Sequence, residues 1–221
     1  MESAARRRCV FVMLLLIQAA CSSTERLAAS REPLQLDGIP VSYGHRREEA
    51  IMAISDDEWQ ALAELFSPPP ASALEERLAV RKAVAMLEQV AGRQTSTFRD
   101  WRMDDLNPAG AGCLDCIDEA VNTTTYLRLL EERGLLHHHE VMEKAFRGPL
   151  QLDTHYAGQL REKSTGELYV VDSWFLANGW PPYVQKTGDW LAHKDWPQEE
   201  NPETWNEEAL DRNVAYWPKT E

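Results

Sequence analysis

Apolar residues recur along this chain with two periods, and the change from one to the other divides it. From Ser55 onward the spacing is helical: Trp59, Leu62, Ala63, Leu65 and Phe66 follow the capping-box pattern Ser55-Asp-Asp-Glu58 and stop before Pro68-Pro69-Pro70. A second pattern of this kind, Ser72-Ala-Leu-Glu75, opens a longer helix with the stripe Val80, Ala83, Val84, Leu87, Val90 and Ala91, closed by Gly92. A third helix follows the glycine-bearing loop Asn107-Pro-Ala-Gly-Ala-Gly112. It carries Ile117, Ala120, Val121, Leu127, Leu130 and Leu135, with Gly134 where a left-handed cap would end it. Past Gly148-Pro149 the pattern becomes strand-like, with Leu150 to Leu160 and Glu167 to Val171 joined at Lys163-Ser-Thr-Gly166, a hairpin signal. Helices first and antiparallel strands after predict an α+β domain in which the third helix packs on the sheet.

The flanks read differently. Residues 1–20 begin with Arg6-Arg7-Arg8 and continue through the apolar run Cys9 to Ile17, too short to span a bilayer, which predicts an export signal that is removed. Ile17-Gln18-Ala19-Ala20-Cys21 resembles a bacterial lipobox. That resemblance implies acylation of Cys21 and a lipid anchor in the cell envelope, facing the periplasm, with secretion by cleavage nearby as the alternative. Residues 21–50 show no periodicity and read as a tether or an arm laid over the domain, which is assigned to residues 51–177. Residues 178–221 are rich in tryptophan, proline and acid, and read as a segment wrapped on the domain by its large side chains; an exposed aromatic row that binds glycan or peptide is the alternative.

Composition narrows the partners. The 221 residues carry 23 Lys+Arg against 36 Asp+Glu, a net charge of −13, so no basic stripe offers itself to a nucleic acid. A hydrophobic share of 43% and eight tryptophans predict a packed globular core. A peptide, protein or envelope substrate suits this charge better than a polyanion, and nothing in the sequence sets an oligomeric state.

The reactive residues gather at the third helix. Cys113 and Cys116 are placed in its first turn, where unpaired N–H groups and the helix dipole favour a thiolate. Buried packing residues or a disulfide are the plainer alternative. His137-His138-His139 invite a metal reading with Cys113 and Cys116, but adjacent side chains diverge and the spacing is no standard zinc pattern, so they are read as a solvated loop and no metal or cofactor is assigned. Downstream, His155 and Asp172 fall on the two strands.

Cys116-Ile-Asp-Glu-Ala120, Leu127-Arg128 with the arginine twelve residues past the cysteine, and Gly134 resemble the signature of transglutaminase-like domains, and His155 and Asp172 match that family's histidine and aspartate. The resemblance spans about Ala109 to Phe175, with Tyr156-Ala157 and Ser173 departing from the usual neighbours. It implies a transglutaminase-like fold and a catalytic triad of Cys116, His155 and Asp172 acting on peptide or amide bonds. The cysteine would attack the carbonyl, the histidine would move the proton and the aspartate would orient it. An oxyanion would be met by the Cys116 N–H and a side chain from Trp101 or Gln94. Water as acceptor makes a hydrolase, an amine an acyltransferase. Two other readings stand beside it: a thiol oxidoreductase with Cys113 as the redox partner of Cys116, and a non-catalytic structural or interaction lipoprotein with an inert disulfide.

Overall fold

A computed structural model describes residues 33–100, 103, 112–148 and 154–202. Among them lie seven strands and four α-helices: β1 (Ile39–Tyr43), β2 (Glu48–Met52), α1 (Asp56–Glu64), α2 (Ala73–Gln94), α3 (Cys116–Glu132), β3 (His139–Val141), β4 (Ala145–Arg147), β5 (His155–Glu162), β6 (Leu168–Asp172), β7 (Tyr183–Lys186) and α4 (Thr187–Leu191). The class is α+β, with every strand pair antiparallel. The described residues from Leu34 onward make one compact unit. No described helix is long and apolar enough to cross a membrane. The two assignments at Cys21 and Trp101 lie outside the described residues.

Local chemistry explains the helix ends. Ser55 and Glu58 form the reciprocal capping box at α1. At α2, Ser72 caps the Glu75 N–H, but the Glu75 carboxylate accepts from Ala71 and so does not close a box. Helix α2 also runs past Gly92 to Gln94. A Cβ at Gly92 would lie 2.9 Å from Asn178 Oδ1 and 3.2 Å from Phe98 Cβ, so this glycine serves close packing rather than termination. Helix α3 ends as the sequence suggests. Gly134 has φ +74°, its N–H donates to Glu131 and the Leu135 N–H to Leu130, the paired bonds of a Schellman cap.

The larger sheet has the order β3-β5-β6-β7, with β4 also paired to β5. Strand alternation gives it two faces. Leu160, Val171 and Val184 face the main core with Val80, Val84, Leu87, Leu127 and Leu130 of α2 and α3. Ala157 and Val170 face the other way, with Ala145, under Trp190 of α4. Helix α3 comes close to β5 because Gly158 lacks a side chain: a Cβ there would stand 2.8 Å from Thr123 Cγ2 and 3.3 Å from both Leu127 Cδ1 and the Val171 carbonyl.

Three sequence readings need correction. The domain includes residues assigned to the tether, since β1 and β2 form a hairpin that buries Ile39, Val41 and Met52 in the main core. The segment after 178 is not all irregular wrapping, because it supplies β7 to the sheet and the helix α4. The histidine run is not one solvated loop: His137 is exposed, but His139 is buried, with Nδ1 against Glu76 Oε1 at 2.8 Å and Nε2 against Arg77 Nη1 at 3.1 Å. Alternation within β3 and the buried charges on α2 decide this, and neither is visible in a run of three identical residues.

Candidate active site

Asp115, which precedes α3, is its N-cap: the carboxylate accepts the N–H groups of Ile117 at 3.0 Å and Asp118 at 2.8 Å, and Asp118 returns the bond to complete a capping box. Cys116 is therefore the first helical residue, and Cys113 lies before the helix rather than in its first turn. The glycine loop suggests an earlier helix start that would put both in one turn, whereas Asp115 is the better cap. Cys113 is 3% exposed and Cys116 half-buried, and both are thiols. The Cys113 carbonyl accepts the Gly44 N–H at 2.8 Å and the Leu114 N–H donates to Asp100 at 2.7 Å, so the strand-like approach to the helix is held on both sides.

The turn between β1 and β2 braces the same helix end. Ser42 exchanges two backbone bonds with the Asn122 side chain, each 2.8 Å, and its hydroxyl donates to Asp118 at 2.5 Å. Gly44, His45 and Arg46 all have positive φ, of 65°, 58° and 62°. The Arg46 N–H donates to Asp118 at 3.1 Å and its guanidinium stands 3.3 Å from Asp115. For two residues with side chains to hold that conformation, the surrounding bonds must outweigh its strain.

The face of α3 turned inward differs from the apolar stripe in the sequence. Ile117 and Val121 are only half-buried, whereas Asp118, Glu119, Asn122, Thr123 and Thr124 are buried. A helix packed against the hairpin, α2 and the sheet has little solvent face; Asp118, Asn122, Thr123 and Thr124 bond protein partners instead, while Glu119 Oε2 has none among the described residues. Glu119 and Glu88 of α2 form a buried acidic pair. Burial pushes the Glu88 carboxyl up to about 7, against hydrogen bonds from Gly179 and Ser173 that favour the charge. Burial pushes Glu119 well above the usual range, helped by the charges of Glu88 and Asp100 and a hydrogen bond to Asp100 that needs its proton. A carboxyl one turn from Cys116 whose charge is disfavoured by burial opposes a thiolate there less than an ordinary glutamate would.

His155 opens β5 and Asp172 closes β6. Their side chains meet, with His155 Nε2 and Asp172 Oδ2 2.8 Å apart, and both are buried. The imidazole is walled by Trp174, Phe175 and Trp190, with ring centroids at 4.8, 5.3 and 5.7 Å. The Cys116 sulfur lies 4.0 Å from the carbonyl oxygen of Thr154, the residue before His155. The start of α3 thereby lies beside the backbone that leads into β5. With Nε2 on the carboxylate, Nδ1 is the ring nitrogen that does not meet Asp172.

The two candidate oxyanion side chains part ways. Gln94 is engaged elsewhere, its amide bridging both backbone groups of Ala53 at 2.9 and 2.6 Å, and Trp101 lies outside the described residues. Among the described residues no group of three His, Cys, Asp or Glu is disposed to hold a metal ion. One site residue escaped the sequence reading: Trp190 Nε1 donates to Asp172 Oδ2 at 2.9 Å. Its only sequence signal is a place shortly after a strand-like Tyr183-Val-Gln185, too weak to assign a partner. Comparisons with family models, with curated proteins and with solved structures return no match.

Proposed function

We propose that this chain is a transglutaminase-like cysteine hydrolase or acyltransferase of peptide or amide bonds, with Cys116, His155 and Asp172 as its triad. The observation that carries the reading is the buried Asp172–His155 bond through Nε2, with the Cys116 sulfur against the residue that precedes His155. In this reading His155 Nδ1 takes the Cys116 proton while the sulfur bonds to the amide carbon. The N–H of Cys116, first in the helix, faces the developing oxyanion with the helix dipole behind it. The tetrahedral intermediate collapses as the carbon–nitrogen bond breaks and the imidazolium returns the proton to the leaving amine. The thioester then passes to water or to a second amine. Asp172 orients the ring and stabilises its charged form.

Cys116 is the more accessible of the two cysteines, which makes it the sulfur a substrate carbonyl would meet. The envelope assignment is part of the same proposal: residues 1–20 direct export and Cys21 carries the lipid, which mass spectrometry of the mature N-terminus tests. A lipid-modified Cys21 is expected, and an unmodified N-terminus beyond it overturns the anchor.

The triad is tested by treating the reduced, folded protein with iodoacetamide and mapping the labelled cysteine. Preferential labelling of Cys116, lost in His155→Ala, is the expected result. Equal or absent labelling at Cys113 and Cys116 overturns the assignment.

A further inference from the structure

We infer that Trp190, from the short helix after β7, is a positioning residue for the His155–Asp172 pair, an inference that rests on the triad reading above. Asp172 Oδ2 takes two donors, the imidazole Nε2 at 2.8 Å and the indole Nε1 at 2.9 Å, while Oδ1 is buried with no hydrogen-bond partner among the described residues. Rotation about the bond to a carboxylate is soft, so hydrogen bonds rather than the rotamer fix which oxygen faces the imidazole. Trp190 supplies a second donor to the same oxygen that meets His155.

The indole is a donor and never an acceptor. Its N–H favours the charged carboxylate at the oxygen that also meets His155. Facing that oxygen, Nε2 is the protonated ring nitrogen and the lone pair falls on Nδ1, the nitrogen the proposed reaction needs. Trp190 therefore sets the tautomer through Asp172, and its ring, 5.7 Å centroid to centroid from the imidazole, lines the same histidine.

The indole is itself held in place. Its side chain is wholly buried among Ala145, Ala157 and Val170, and the Arg147 guanidinium lies 4.6 Å from the ring centroid while donating to the Trp190 carbonyl at 3.1 Å. Arg147 belongs to β4 and pairs directly across from His155 in the β4–β5 ladder. The strand pair that carries the histidine thus also anchors the tryptophan that serves its aspartate.

The test measures the iodoacetamide reaction of Cys116 across pH in the full chain, as wild type, Trp190→Phe, Asp172→Asn and the double variant. Phenylalanine keeps much of the apolar bulk and removes the donor. Trp190→Phe is expected to slow alkylation about tenfold and to move the midpoint of its pH profile. In the Asp172→Asn background the same change is expected to add little, because its route runs through that carboxylate. An unchanged rate and midpoint in Trp190→Phe, or an equal loss with and without Asp172, overturns the inference. A wild-type Cys116 whose reaction ignores His155→Ala removes the triad reading and this inference together, an outcome distinct from the other two. Should Trp190→Phe fail to fold, tryptophan-labelled nitrogen NMR of the folded wild type and Asp172→Asn answers the same question. One indole N–H signal should shift downfield in the wild type and return in Asp172→Asn, and no responding indole signal overturns the inference.

Discussion

His155 Nε2 and Asp172 Oδ2 stand 2.8 Å apart across the β5–β6 pair, although seventeen residues separate them in the chain. The hairpin register makes this possible: Gly158 pairs with Val171, so the start of β5 and the end of β6 run out at the same edge. A buried carboxylate with an imidazole on one oxygen holds the ring at a fixed angle. Asp172→Asn, which reverses the hydrogen-bonding sense at that oxygen, should cut amide turnover by about two to four powers of ten, with little loss of Tm. Steady-state rates on the best peptide substrate found, alongside a thermal melt, check this.

The two cysteines should separate cleanly. Cys116→Ala is expected to abolish amide-bond chemistry, whereas Cys113→Ala keeps it and removes any dependence on reductant. Cys113 is packed before the helix and Cys116 begins it. Reversed effects would mean that the nucleophile was assigned to the wrong cysteine.

Gly158 sets the distance from the nucleophile's helix to the histidine's strand. Gly158→Ala puts a methyl against Thr123, whose branched side chain has little freedom to turn away, and against the Val171 carbonyl. A loss of about 1–3 kcal/mol in unfolding free energy is expected, with slower alkylation of Cys116 as α3 moves off β5. Chemical denaturation and the labelling rate measure the two effects; a neutral variant would show that the helix accommodates the methyl freely.

Stability should peak on the acid side of neutrality. Glu88 ionises near 7 in the fold against an ordinary 4.5, so between those values the folded state holds a proton that the unfolded chain has released. The stability it contributes is full below 4.5 and is lost as pH rises through about 7, roughly 3 kcal/mol in all. Glu76 works in the opposite sense: burial raises it, but hydrogen bonds from His139, His138 and His137 outweigh that and hold it below its ordinary value. Its contribution is present above 4.5 and fades as pH falls further. Tm is therefore expected to be highest near pH 5, and Glu88→Gln should flatten the decline toward pH 8. A wild-type Tm that rises from pH 5 to 8 would contradict the assignment.

Arg77 ties the segment after α4 to α2. Its guanidinium bonds Glu200 at 2.7 Å and Glu162 at 3.0 Å and stacks 3.8 Å over Tyr169. Arg77→Met leaves both buried carboxylates without their cation and should cost about 3–5 kcal/mol. Equilibrium unfolding is the measurement, and a loss below about 1 kcal/mol would mean that Glu200 finds water instead.

What the sequence settled by itself is local. Ser55 with Glu58, the left-handed Gly134 and the Lys163–Gly166 turn are decided within a few residues by capping and turn chemistry, and the structure has them where the spacing puts them. The α+β class is legible too, because hydrophobic period is a local property, but the order of elements is not: the β1–β2 hairpin precedes the helices that the sequence puts first. The tertiary structure decided whatever depends on a distant partner. Gly92 reads as a helix stop until Asn178 and Phe98 crowd it, and Asp115 outranks the glycine loop as the start of α3 once the hairpin residues Ser42 and Arg46 engage its first turn. His139 looks solvated until Glu76 and Arg77 enclose it. Cys116, His155 and Asp172 can be picked from sequence by type and order, but the bond between His155 and Asp172, and the Trp190 that shares its oxygen, exist only because strands pair at a register fixed by the whole sheet. Hydrogen bonds between remote side chains leave no periodic trace along the chain, and so only the folded arrangement reveals them.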